Sequence, residues 1–263
     1  MQMTRQRISA AVICFLLLCF VPKLWAEAPL NDAKAIMEHS YNRDDGKDCV
    51  FTLEMVLVDK AGGKRLRQLA IYSKDYDELI KTLIVFKSPA DIEGTKFLSW
   101  ENKGADDTQY LFLPALNRSR RIVSTQKKLQ FVNTDFTYED MQRRCPDKDT
   151  HALLKQEAHN GRMCYVVESV PVKKENSQYS KRISWVDQES FVVVRTEFFN
   201  KKGKLSKCFT VEALEKRQEI WTSVRTRMQD LEVKHETLLN ILEVQYNQGI
   251  GDDVFTVREL EQK

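Results

Sequence analysis

The chain returns again and again to short runs of β-branched, aromatic and aliphatic residues broken by turn residues, and this rhythm leaves it few folds. "CVFTLEMVLV" (49–58), "KRLRQLAIYS" (64–73), "LIKTLIVF" (79–86), "GTKFLSW" (94–100), "TQYLFLPA" (108–115) and "RRIVS" (120–124) follow closely on one another. "HALLKQEA" and "RMCYVVESV" then flank His159-Asn160-Gly161. Asn-Gly between two such runs is a strong hairpin signal, because a type I′ turn needs positive φ at both central residues. "SKRISWVD", "SFVVVRTEFF", "KLSKCFTVEAL", "EIWTSVRTRMQDL" and "ETLLNILEVQY" complete the series, with Lys201-Lys202-Gly203 as a further tight turn. The spacing predicts roughly ten or eleven strands joined by connections of hairpin length. Parallel strands need a crossover of about a dozen residues or more, most often a helix, and none lies between these runs. An antiparallel meander remains, and it must close, curl or be covered, since a flat open sheet leaves edges and one face unburied.

Several runs are apolar on both faces. "LIVF", "YLFL" and "FVVV" do not alternate, so their strands require burial on both sides. One side is expected to meet covering helices; the other faces either a cavity or partner, or simply a thick dry core. The clearest helical pattern runs from Asn31 to Asn42, with Ala33, Ile36, Met37 and Tyr41 at helical spacing and Asn31 or Asp32 as cap.

The first 26 residues read as a secretory signal peptide. Arg5 and Arg7 precede an apolar and small-residue run from Ile8 to Val21, and Leu24-Trp25-Ala26 offers a cleavage site before Glu27. The run is shorter than the roughly 20 residues a bilayer span needs, and Cys19, between Leu18 and Phe20, fits a lipid-attachment site poorly. Residues 27–263 are expected to form a single domain in the periplasm. Removing residues 1–26 removes Arg5, Arg7 and Lys23, so the remainder carries 41 − 3 = 38 basic and 38 acidic side chains, a formal net charge of zero. A neutral exported chain gives no reason to expect nucleic-acid binding. Cys49, Cys145, Cys164 and Cys208 remain. An oxidising compartment favours one or two disulfides, with three pairings open, and the absence of a CxxC pair argues against zinc.

"TDFTYEDM" (134–141) concentrates acids, threonines and aromatics. With Thr137 as N-cap, Asp140 takes the capping-box position and Phe136 and Met141 form the hydrophobic staple. Arg143 and Arg144 suit the last turn and Cys145-Pro146 a stop. The stretch therefore predicts a short capped helix, with only Asp135 and Tyr138 left without a role. His39, His151, His159 and His235 are scattered with no HExxH, and His235-Glu236 reads as a solvated turn. No G-x-S-x-G, P-loop or lactamase-type set is present, so neither a catalytic nor a metal or cofactor site is expected. Just upstream, "NRSRRIVSTQKK" (117–128) reads first as a solvated hairpin. Arg118, Arg120 and Arg121 are also candidates for a lipid headgroup or an acidic partner, since guanidinium forks suit phosphate, or for pairing with Asp135, Glu139 or Asp140.

The ordered blocks "FKSPADIEGTKFLSWE" (86–101), "YLFLPALNRSRRI" (110–122), "FVNTDFTYEDM" (131–141), "YSKRISWVD" (179–187) and "FTVRELE" (255–261) resemble the bacterial outer-membrane lipoprotein-sorting proteins. These are the LolA/LolB-like periplasmic carriers, in the branch often found with RND/MMPL-type exporters. One departure is Val132-Asn133, where the family tends to have small residues. The resemblance implies a mainly β fold with a few helices: a strongly curved, unclosed antiparallel β half-barrel whose concave face the helices cover. It also implies a cavity for acyl chains of a lipid or lipoprotein, no catalytic machinery, transient membrane contact and an inner-membrane exporter as a possible partner. An adaptor that docks on the exporter without carrying lipid is the alternative. Phe51, Leu53, Met55 and Leu57 on one face of the first strand, with Leu83, Val85, Leu98, Trp100, Leu111 and Leu113, are the expected lining of the cavity.

Overall fold

The computed structural model describes residues 30–77 and 79–262; the expected signal peptide lies outside the described residues. Thirteen strands form: β1 (Asp48–Val58), β2 (Lys64–Tyr76), β3 (Leu79–Ser88), β4 (Lys96–Trp100), β5 (Thr108–Leu113), β6 (Arg118–Ile122), β7 (Asp149–His159), β8 (Arg162–Pro171), β9 (Tyr179–Asp187), β10 (Val193–Asn200), β11 (Leu205–Arg217), β12 (Ile220–Asp230) and β13 (His235–Tyr246). The expected ten or eleven is an undercount. Every apolar run stays a strand of its own because the chain reverses between runs, as at Asn160 and Gly161, whose φ values are 49° and 79°.

All thirteen strands belong to one antiparallel sheet in the order β6-β5-β4-β3-β2-β1-β13-β12-β11-β10-β9-β8-β7. The first and last strands pair in the middle of the sheet, and β6 and β7 are its free edges, so the sheet is an unclosed half-barrel. Register shifts at Thr52/Leu53 on β1, around Ala213 on β11 and at Leu153/Lys155 on β7 mark bulges, which bend strands and increase twist.

The register separates the two faces. Phe51, Ile71, Ile84, Phe97 and Leu111 lie side by side across β1–β5. The same face continues through Leu57, Thr237, Met228 and Phe209 to Thr196, Ser184 and Val167. This inner, concave face carries two covers. The helix α1 (Ala33–Tyr41) is capped by Asp32, whose side chain accepts from the Lys34 N–H, and it buries Ala33 and Ile36 against Tyr165, Val167 and Val186. The second cover is the 123–148 connection from β6 to β7. Because those strands are opposite edges, this strap must cross the sheet, and it sinks Phe131 and Tyr138 among Leu53, Met55, Leu69, Phe86 and Phe97.

The outer face is covered at β2–β5 by the chain after β13. There α2 (Val257–Glu261) and the preceding turn place Phe255 and Leu260 on Leu83, Val85, Leu98 and Phe112. The Trp100 indole N–H donates to the Phe255 carbonyl at 2.9 Å. The expected disulfides are absent among the described residues: Cys49, Cys145, Cys164 and Cys208 are free. Cys49, Cys208 and Cys164 sit on β1, β11 and β8, each three strands from the next. That separation is about 14 Å at a strand spacing of ~4.8 Å, twice what a disulfide spans.

Candidate functional site

The "TDFTYEDM" stretch forms one capped turn rather than the expected helix. The reciprocal cap is made: the Thr137 N–H donates to Asp140 Oδ2 at 2.8 Å and the Asp140 N–H to Thr137 Oγ1 at 3.3 Å. A single helical bond follows, from the Met141 N–H to the Thr137 carbonyl at 3.2 Å. The chain then leaves the helical path because its polar groups are engaged elsewhere. Glu139 accepts Arg182 Nη2 at 2.6 Å, the Gln178 N–H at 2.7 Å and the Ser177 hydroxyl. Arg143 stacks 3.9 Å from the Tyr41 ring centroid and donates to the Tyr41 carbonyl. Arg144 holds Asp149 with two bonds of 2.5 and 2.7 Å.

Asp135 and Tyr138, which had no assigned role, are among the most buried residues of the strap. Asp135 is 1% exposed; it lies 2.7 Å from His235 Nδ1 and accepts the Thr237 hydroxyl at 2.6 Å. Lys207 Nζ donates to the Asp135 carbonyl at 2.6 Å. Arg67 and Gln109 donate to the carbonyls of Val132 and Tyr138 at 2.8 and 3.1 Å. The strap is thus fastened by β2, β5, β9, β11 and β13. His235 opens β13 instead of lying in a solvated turn. The strap acids pair with Arg182, His235 and Lys207, not with Arg118, Arg120 or Arg121, which are exposed on the edge strand β6. Arg118 and Arg120 share the inner-face register of Leu113 and Leu111, and Arg121 the outer-face register of Tyr110.

The ten residues expected to line one cavity divide between the faces. Phe51, Leu53, Met55, Leu57, Leu111 and Leu113 are on the inner face, where they pack with Phe131 and Tyr138 under the strap. Leu83, Val85, Leu98 and Trp100 are on the outer face beneath Phe255 and Leu260. The sequence pattern fails here because strands apolar on both faces carry no phase relating them to their neighbours.

Open space lies farther along the inner face. Between α1 and the strap, over β8–β12, is a cavity of about 380 Å³ walled by Met37, Phe136, Val193, Phe198, Phe209 and Met228, with Arg182 and Gln142 among its polar residues. Tyr41, Arg143, Arg144 and Pro146 are shared with a polar mouth of about 840 Å³ formed by residues 101–107, 143–148 and 172–176. In that mouth, burial raises the Asp107 carboxyl to about 6. A smaller hollow of about 280 Å³ lies by Phe51, Ile71, Ile241 and Tyr246. Burial raises the Cys49 thiol to about 12 and the Cys164 thiol to about 11, which keeps these two protonated at neutral pH. Among the described residues, no group of three or more His, Cys, Asp or Glu is placed to hold a metal ion.

A family model described as "Uncharacterized protein"-like matches residues 78–262. The fold is similar to an outer-membrane lipoprotein-sorting protein domain from Vibrio parahaemolyticus, with TM-score 0.83 and 29% identity over 88% of this chain and 98% of that one. The chain belongs to the family of that model, and its fold is LolA-like. It is also similar to a DUF1329 family protein from Desulfovibrio piger, with TM-score 0.81 and 28% identity over 86% of this chain and 97% of that one. A LolA superfamily protein from Nitrosomonas europaea shares the LolA-like fold at TM-score 0.66 and 19% identity, over 85% and 97% of the two chains. No curated protein matches. Val132 and Asn133, the departure from the family pattern, have φ of 47° and 57°. This is left-handed backbone that small residues adopt readily and a β-branched one does not.

Proposed function

We propose that the protein is a periplasmic carrier that shelters acyl chains of a lipid or lipoprotein on the concave face of its half-barrel and performs no covalent chemistry. The observation that carries this reading is the cavity between α1 and the strap. Met37, Phe136, Val193 and Phe209 are only half-buried although they point inward, so they face a hollow rather than packed neighbours. Each acyl CH₂ moved from water into such surroundings gains about 0.8 kcal/mol, which gives affinity without directed bonds. The polar mouth lets a headgroup stay in water while the chain enters. Phe51 and the hollow beside Ile71 and Ile241 extend the inner-face lining we propose; Leu53, Met55, Leu57, Leu111 and Leu113, under the strap, become accessible only when the strap lifts. Leu83, Val85, Leu98 and Trp100 serve the outer face in this reading.

The polar fastening of the strap suits release. Ion pairs and hydrogen bonds to five strands exchange with water when the strap lifts, so two states of different lipid affinity are available. The signal peptide, periplasmic location and transient membrane contact belong to the same proposal. The test is native mass spectrometry of protein purified without detergent, followed by solvent extraction. Co-purifying lipid and uptake of an acyl probe are expected. A lipid-free protein that takes up no probe overturns the carrier reading. Retention on an RND/MMPL-type exporter after lipid removal would favour the adaptor alternative.

A further inference from the structure

Two residues that line the cavity between α1 and the strap each carry a buried hydrogen-bond donor without a partner among the described residues. Arg182, on β9, is 9% exposed, and its Nη2 serves Glu139 at 2.6 Å. Its Nη1 is buried and has no hydrogen-bond partner among the described residues, and the same holds for Gln142 Nε2 on the strap. Both residues line the cavity, and none of the buried unpartnered atoms there is an acceptor. Buried polar groups are almost always satisfied and are costly when they are not, so a surplus made only of donors points to an acceptor that arrives with the ligand.

The charges decide what kind of acceptor. Glu139, Asp140 and Asp149 are matched on the cavity wall by Arg143, Arg144 and Arg182. Glu139 pairs with Arg182, Asp149 with Arg144 and Asp140 with Lys207, while Arg143 is 3.6 Å from Glu101. A carboxylate would add an uncompensated buried charge; a neutral carbonyl would not. We infer that Arg182 Nη1 and Gln142 Nε2 hold a neutral carbonyl oxygen of the cargo, an acyl ester or acyl amide, and so select acyl lipids over plain hydrocarbons and free fatty acids. This rests on the carrier reading and names its substrate class.

The test is isothermal titration of delipidated protein with methyl dodecanoate, N-methyldodecanamide, dodecanoate and dodecane, each delivered from cyclodextrin. Methyl dodecanoate or the amide is expected to bind about tenfold more tightly than dodecane, the worth of one well-placed hydrogen bond to a charged donor. The ester and amide arms separate a glycerolipid from an N-acylated lipoprotein as the source. In Arg182→Lys, which keeps a cation for Glu139, and in Gln142→Leu, the carbonyl-to-alkane ratio should fall towards one, with circular dichroism reporting the fold. A ratio of one in the unaltered protein, as expected if water satisfies Nη1, overturns the inference alone, and so does dodecanoate binding more tightly than the ester. Failure of all four probes to bind overturns the carrier reading together with it.

Discussion

Glu139→Ala tests whether the strap is an architectural brace. Both members of the Glu139–Arg182 pair are buried, with side-chain exposures of 5% and 11%. Glu139 also accepts from Gln178 and Ser177. Losing a turn cap would cost about 1 kcal/mol. Removing one partner of a buried ion pair strands the other charge and costs about 3–5 kcal/mol. Urea unfolding at pH 7, followed by tryptophan fluorescence, should therefore show the midpoint falling by that amount divided by an unchanged m-value. Replacing both partners with methionine should recover most of the loss, since no charge is left unpaired. A loss below about 1 kcal/mol in the single variant, or no recovery in the double one, would refute the argument that the carboxylate supports the buried guanidinium.

The remaining predictions concern three other places. Asp107 is held at about 6 by burial, against an ordinary value of 3.8. The folded chain is thus penalised for ionising it as pH rises from about 4 to 6, and Asp107→Asn should stabilise at pH 7 by up to ~3 kcal/mol and not at pH 4. Urea midpoints at the two pH values check the sign. Val132→Gly should raise stability by about 1 kcal/mol, because glycine relieves the strain of a β-branched residue at φ 47° by more than its added chain entropy costs; a lower thermal midpoint would contradict this. Phe255→Ala should cost about 3–5 kcal/mol through the cavity it leaves over Leu98 and Phe112. It should leave acyl-probe affinity unchanged, since the outer face is not the proposed site, and titration of the probe into the folded variant reads this directly.

Much of the fold was legible in the sequence because strand identity is a local property. Each apolar run from 49–58 to 236–246 became a strand, and Asn160-Gly161 turned as its φ requirement demands. The family blocks added the half-barrel. What stayed hidden was long-range. Nothing near Asp135 announces His235, which is 100 positions away, and nothing in "LIVF" says that Ile84 faces the strap while Leu83 faces Phe255. The capping devices of Thr137 and Asp140 were read correctly, but a cap specifies only the start of a helix. How far it runs depended on Glu139, Arg143 and Arg144 finding partners on α1, β7 and β9. The division of the expected lining between the two faces stayed hidden for a related reason: the six inner-face residues meet a strap whose path depends on those same distant bonds.

Eleven of the twelve strand junctions in the sheet join neighbours in sequence, and the twelfth joins β1 to β13. Each meander can therefore zip up by short-range steps, but β1 waits for the last strand to emerge. During that wait, one edge of β1 offers unpaired amides beside Leu53, Met55 and Leu57. The nascent chain is thus most vulnerable to sticking to its copies just before completion, and its final strand acts as its own chaperone for its first.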